Sequence, residues 1–156
     1  MNRLSGLILA AAVAVAIVGG FSAASQARTA HHPPRHGALH ATKECSEYHG
    51  QAGEFCTIVS SNLPAIPGGS RVFYLEAAGA AGLDSDLVLY AGPGNVALGH
   101  VVLSFTTYTG EITFAGGTGS LRGFHATAAV SFDGALWHWD GTYRFRGSDD
   151  DDQGDH

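Results

Sequence analysis

The sequence carries little positive charge. It contains a single lysine, Lys43, and its lysines and arginines total 8 against 14 aspartates and glutamates. Nucleic acids and anionic membranes are bound through clusters of basic side chains, so the composition argues against both as partners. The sequence also lacks helical periodicity after Cys56. We predict no cofactor.

The N-terminal 27 residues have the features of an export signal. An arginine precedes an apolar run from Leu7 to Val18, and Ser25 and Ala27 suit the −3 and −1 positions of a signal-peptidase site. Residues 1–27 are therefore predicted to be removed, which leaves a secreted protein (extracellular or periplasmic) without membrane contact. The alternative is an uncleaved membrane anchor, but the apolar segment barely reaches the about 20 residues that span a bilayer.

Two segments outside the predicted domain are polar. Residues 28–42 form a predicted linker rich in proline and histidine, because such a segment has too few apolar side chains to bury. Its histidines are weak candidates for metal binding, in a spacing that matches no closed metal site: His31, His32, His36 and His40. Residues 148–156 form an acidic tail, predicted to be disordered and solvated. Removing the signal takes out one basic residue, so the net charge of −6 becomes −6 − 1 = −7.

The chain has only two cysteines, Cys45 and Cys56. In an exported protein an isolated pair usually forms a disulfide, and closing this short loop would contribute about 3 kcal/mol. A nucleophilic cysteine is the alternative, but no nearby residue clearly serves as its base, although His49 is close in sequence. We predict the disulfide.

Residues 43–147 are predicted to form one all-β domain. The pattern has period two, with turn residues at short intervals and an Asp133-Gly134 hairpin signal. Several short strands of this kind make a sandwich or a closed barrel, and closure protects apolar edges. The predicted strands are 55–63, 71–77, 86–91, 96–108, 111–115, 124–132 and 135–146.

A glycine-dense hairpin is the most informative motif. Gly116-Gly117-Thr118-Gly119 separates two apolar strands, and glycine tolerates the positive φ that a sharp reversal needs. Together with the Gly-Ser-Arg-Val-x-Tyr segment at residues 69–74, the cysteine-bearing entry and the closing aromatic strand, this hairpin resembles the bacterial allene oxide cyclase barrel-like proteins, distant relatives of the dirigent proteins.

The resemblance implies a single antiparallel, eight-stranded, calycin-like β-barrel with a central cavity. Plant relatives cyclise a fatty-acid epoxide or steer the coupling of phenoxy radicals, and many members are dimers or trimers, so a homo-oligomer is implied. This chain departs from the dirigent pattern, because Ser120 and Phe124-His125-Ala126 stand where an Asp and an Ala-Arg-Gly are common. The plant activities are therefore not transferred to it.

The last predicted strand has two contrasting faces. Alternation places Trp137, Trp139, Tyr143 and Phe145 on one side, opposite a polar row that includes Asp140. Burial of the aromatic row is favoured by its apolar area, at about 25 cal/mol per Å². The alternative places the polar row in the cavity.

Two functions are consistent with these features. The first is a secreted barrel that binds an apolar small molecule in its cavity or serves as a structural barrel. The alternative is a cyclase or isomerase, in which a buried carboxylate of raised pKa acts as general acid or base. The candidate catalytic residues are Tyr74, Glu76, His125 and Asp140, and the first three are also the candidate ligand-binding residues.

Overall fold

The computed structural model describes residues 34–147 of the chain. The predicted signal peptide, His31, His32 and the acidic tail at 148–156 lie outside this range. No helix among the described residues is long and apolar enough to cross a membrane.

Eight strands form a closed barrel in which each strand pairs with the next and β8 pairs with β1, all antiparallel. The predicted all-β, eight-stranded antiparallel barrel is thereby confirmed. A short 3₁₀ helix, Gly119–Leu121, lies between β6 and β7. The strands are β1 (His36–Glu44), β2 (Phe55–Ser61), β3 (Arg71–Tyr74), β4 (Gly82–Tyr90), β5 (Val96–Ser104), β6 (Thr109–Gly117), β7 (Phe124–Phe132) and β8 (Trp137–Phe145).

The first strand corrects a predicted boundary. Residues 36–42 were predicted to belong to the linker, but they lie in β1 and pair with both β2 and β8. Leu39 and Ala41 point inward and are buried, so the segment has the period-two pattern of a strand. His36 and His40 occupy the outer face, where water solvates their polar rings.

Aromatic side chains fill the middle of the barrel. The ring of Phe114 lies 5.4 Å from that of Phe124 and 5.7 Å from that of Trp139, centroid to centroid. Trp139 and Tyr143 of β8 are buried, whereas Asp140 and Arg144 are exposed. The preference for an inward aromatic row is therefore confirmed.

The two ends of the barrel differ. In a barrel of consecutive antiparallel strands, alternate connections lie at the same end. The connections at one end contribute Leu63, Ile66 and Leu121, all buried in the core, so this end is closed by apolar side chains. The connections at the other end surround a cavity and comprise residues 45–54, 75–81, 105–108 and 133–136.

The glycine-dense hairpin connects β6 and β7 as predicted, but its glycines play different roles. Gly116 and Gly119 have φ of 140° and 58°, whereas Gly117 has no positive φ. A Cβ on Gly117 would lie 2.4 Å from the carbonyl oxygen of Val96 and 2.7 Å from that of Leu121. Gly117 is thus required by close backbone approach rather than by conformation.

Candidate functional site

A cavity of about 940 Å³ opens at the end of the barrel that carries the 45–54 loop. Side chains from seven strands and the connections at this end form its wall, which is largely apolar and aromatic. Apolar lining with a few polar groups is the usual composition of a small-molecule site. The principal apolar lining residues are Leu83, Leu103, Phe105, Tyr108, Phe132 and Trp137.

The polar group in the buried part of this wall is Lys43. It follows Leu39 and Ala41 on the inward face of β1, and only 4% of its surface is exposed. Its Nζ donates a hydrogen bond to the hydroxyl of Tyr74 on β3. Nζ also lies 5.0 Å, 5.9 Å and 5.7 Å from the ring centroids of Tyr74, Trp137 and Trp139.

These aromatic faces favour a cation, but they do not replace the hydration that Lys43 loses. Within residues 34–147, every close ion pair joins a histidine to a carboxylate, and none includes Lys43. Burial consequently lowers the pKa of the lysine to about 7. Burial also raises the pKa of Tyr74, with a smaller contribution from Tyr48, so the phenol stays protonated.

The disulfide is part of the same site. Cys45 and Cys56 are bonded, as predicted, and join the end of β1 to β2 two residues beyond Lys43. The hydroxyl of Tyr74 lies 3.6 Å from Sγ of Cys56. The bond therefore fixes β1 beside the amine and restricts the position of Lys43.

The 45–54 loop covers one side of the cavity. Tyr48 packs on Tyr74 with the ring centroids 4.8 Å apart. The carboxylate of Glu54 holds the loop by accepting hydrogen bonds from the backbone N–H groups of His49 and Gln51, at 2.6 Å and 2.9 Å. The loop is thus an ordered wall of the cavity.

Two buried polar atoms in residues 34–147 have no hydrogen-bond partner, the hydroxyl of Tyr48 and Nε1 of Trp139. Leaving such a group unpaired costs about 1–3 kcal/mol. Both residues adjoin the Lys43–Tyr74 pair, Tyr48 through Tyr74 and Trp139 through the lysine. Unpaired donors beside a buried amine make this region suited to a polar ligand atom.

Of the four predicted site residues, only Tyr74 lies in the cavity. The predicted strand 71–77 included Glu76, two residues after Tyr74, but β3 ends at Tyr74 and the alternation does not continue. The exposed carboxylate of Glu76 accepts hydrogen bonds from Oγ of Ser85 at 2.8 Å and from the backbone N–H of Asp86 at 2.7 Å. It therefore ties the segment after β3 to the middle of β4 and does not line the cavity.

His125 and Asp140 lie on the outer surface. His125 is partly buried between the inward-pointing Phe124 and Ala126, and it lines a surface depression with His36 and Arg144. Partial burial and, secondarily, nearby arginines lower its pKa. The prediction that these two residues are cavity groups is wrong, because their strands point them to solvent.

The proposed histidine cluster is also divided. His36 and His40 lie on the exposed face of β1, four residues apart, which separates them by about 13 Å along a strand. Nδ1 of His40 is 2.7 Å from Oδ1 of Asp140, so this histidine has a partner on β8. His36 and His40 therefore do not converge on one ion.

Lys43 was missed by sequence reasoning, although a signal was present. Leu39, Ala41 and Lys43 have the spacing of one strand face, and that pattern places the lysine inward. The domain boundary predicted at this residue concealed it. The signal that could have identified it is that this lysine follows Leu39 and Ala41 at the same two-residue spacing.

The geometry defines a class of protein, a closed eight-stranded barrel with a cavity open at one end. No protein-family model, curated protein or solved structure matches the chain. The functional inference consequently depends on the cavity and its residues.

Proposed function

We propose that this chain is an exported protein that binds an apolar small molecule in the barrel cavity. One observation carries the proposal: the barrel is closed by apolar side chains at one end and has an apolar cavity of about 940 Å³ at the other. That volume lies within the range of small-molecule sites, about 300–1,000 Å³. A purely structural barrel would gain stability by filling such a space.

The proposed export is supported by the N-terminal pattern and by the disulfide, since disulfides persist in oxidising compartments. The resemblance to allene oxide cyclase barrel-like proteins agrees with the eight strands and the cavity. The cyclase alternative is less favoured. Its candidate carboxylates, Glu76 and Asp140, lie outside the cavity and cannot act on a molecule held inside it.

Binding can be measured with an apolar fluorescent probe, N-phenyl-1-naphthylamine, titrated into the exported protein with its disulfide intact. Leu103→Trp places a large ring in the cavity, because Leu103 lines it and is 8% exposed. Val102→Trp makes the same kind of change one residue earlier on β5, where the side chain is 52% exposed on the outer face. Comparing the two variants distinguishes the effect of filling the cavity from the effect of placing a tryptophan on β5.

We expect saturable probe binding to the wild type and to Val102→Trp, and binding at least about tenfold weaker to Leu103→Trp, which corresponds to about 1.4 kcal/mol. Circular dichroism and urea unfolding verify that both variants are folded. Equal binding by both variants would place the probe outside the cavity and contradict the proposal. Wild-type binding no better than that of heat-unfolded protein would favour a structural barrel.

A further inference from the structure

The cavity wall contains a reactive type of group that apolar binding does not require. Lys43 is the only lysine of the chain, and its amine lies in the inner wall against Tyr74 and two indole rings. Methionine or leucine would fill the same inward position without removing an ammonium from water. A lysine here therefore needs a chemical explanation.

We propose that Lys43 is a nucleophilic amine that captures an apolar aldehyde in the cavity as an imine. The proposal rests on the proposed function, because the aldehyde must enter the same cavity. Three geometric observations support it: Lys43 lines the cavity, its amine has no close carboxylate partner in residues 34–147, and the adjoining disulfide restricts its strand.

The protonation state of the amine favours this chemistry. Only the neutral amine is a nucleophile, and an ordinary lysine with a pKa near 10.4 is neutral in about one molecule per thousand or fewer at neutral pH. Burial lowers the pKa of Lys43 to about 7, so about half of the molecules carry the neutral amine there.

Other titratable groups near the cavity do not reverse this effect. Glu44 is next in the chain, projects from the other face of β1, and accepts a hydrogen bond from the backbone N–H of Ser46 at 2.9 Å. The remaining titratable residues in the lining are phenols and one exposed imidazole: Tyr48, Tyr74, Tyr108 and His49.

The surroundings of Lys43 favour an aldehyde over a carboxylate as the ligand. A carboxylate would need the charged form of Lys43 and would itself lose its hydration in an apolar cavity. An aldehyde is neutral, needs the uncharged amine, and has an apolar chain that the aromatic wall can bury. Aldehydes are therefore the better-matched ligand class.

The reaction balances without an oxidant or a reductant. The nitrogen lone pair attacks the carbonyl carbon, a C–N bond forms as the C=O π bond breaks, and one amine proton passes to the oxygen to give a carbinolamine. The C–O bond then breaks, and the hydroxyl leaves with the second amine proton as water while the C=N bond forms. The hydroxyl of Tyr74, which accepts a hydrogen bond from Nζ and stays protonated, is placed to relay a proton between the nitrogen and the departing oxygen.

The test uses octanal and sodium cyanoborohydride, which reduces an imine to a stable octyl amine. Exported protein with its disulfide intact is treated near neutral pH and mapped by mass spectrometry of its peptides. Because Lys43 is the only lysine, the α-amino group of the chain is the one other primary amine and serves as an internal reference. Lys43→Arg keeps a cation but cannot form the imine, and Leu103→Trp tests dependence on the cavity.

We expect one octyl group on Lys43, formed on the order of 100-fold faster than on the same lysine in urea-unfolded protein. The rate should rise with a midpoint near pH 7, following the lowered pKa of the amine. Leu103→Trp should slow labelling of Lys43 but not of the α-amino group. Labelling no faster than in the unfolded chain, or a midpoint near that of a free lysine, would overturn the proposal.

Thermal shifts separate this inference from the proposed function. Octanol, which cannot form an imine, should raise the melting temperature of the wild type and of Lys43→Arg. If octanol binds but octanal leaves Lys43 unmodified, the cavity function stands and imine capture fails. If octanoate binds at least as tightly as octanol while Lys43 stays unmodified, the lysine is an anion site. If neither octanol nor octanal binds, both proposals fail.

Discussion

Replacing Lys43 by methionine should stabilise the protein, and by an amount that depends on pH. The lysine has a pKa of about 7 in the folded protein, against 10.5 for a solvated lysine such as that of the unfolded chain. Each pKa unit corresponds to about 1.36 kcal/mol, so at and below neutral pH the folded state bears a cost of about 5 kcal/mol, from (10.5 − 7) × 1.36. Methionine keeps the length and apolar packing of the side chain without this cost.

The sign of the pH dependence follows from proton binding. Between the folded and unfolded pKa values the unfolded chain holds a proton on Lys43 that the folded chain lacks, so unfolding takes up a proton and stability rises with pH. Near pH 9 the remaining cost is about 2 kcal/mol, from (10.5 − 9) × 1.36. The advantage of Lys43→Met should therefore shrink by about 2–3 kcal/mol from pH 7 to pH 9.

Urea unfolding at both pH values, with the disulfide intact, measures this difference. Other titrating groups are common to the two proteins and cancel. Arg122→Met is the control, since it replaces an exposed cation by methionine and leaves Lys43 in place. A Lys43→Met advantage that stays constant with pH would show that the lysine has an ordinary pKa, and would refute the account of the buried amine.

Three further outcomes are expected. Gly117→Val should destabilise the barrel by about 1–3 kcal/mol in urea unfolding, because the new side chain meets backbone in the hairpin; an unchanged midpoint would contradict the close approach. Replacing Cys45 and Cys56 together by alanine should cost about 3 kcal/mol, and a loss below about 0.5 kcal/mol would mean that the bond does not restrain the unfolded chain. Glu76→Gln and His125→Ala should leave probe affinity within about twofold of wild type, since both side chains lie outside the cavity. A tenfold loss of affinity in either variant would show that the residue belongs to the binding site.

The barrel was largely predictable from the sequence because its strands alternate strongly. The aromatic row of β8 and the Asp133-Gly134 turn determine which face is buried and where the chain reverses. The first strand was hidden because histidine and proline near it resemble a linker. Leu39 and Ala41 are its inward apolar residues, and two such residues are a weak pattern. The segment is identified as a strand only by its pairing with both neighbouring strands.

The site was less predictable for a physical reason. Period-two alternation assigns a side chain to a face only while the strand lasts, and β3 ends before Glu76. For His125 and Asp140 the sequence left open which face of the strand meets the cavity. The closed barrel places both on its outer face. Closure also brings Lys43 of β1 beside Tyr74 of β3, and no local sequence pattern encodes that contact.

The central claim, that the open end of the barrel binds an apolar molecule, is tested most directly by amide chemical shifts during an octanol titration of isotope-labelled wild-type protein. The account predicts saturable shifts concentrated around the cavity, at Leu83, Leu103 and Trp137, with little change near Leu63 and Leu121 at the closed end. Shifts confined to the outer depression around His125, or no saturable shifts at all, would contradict it.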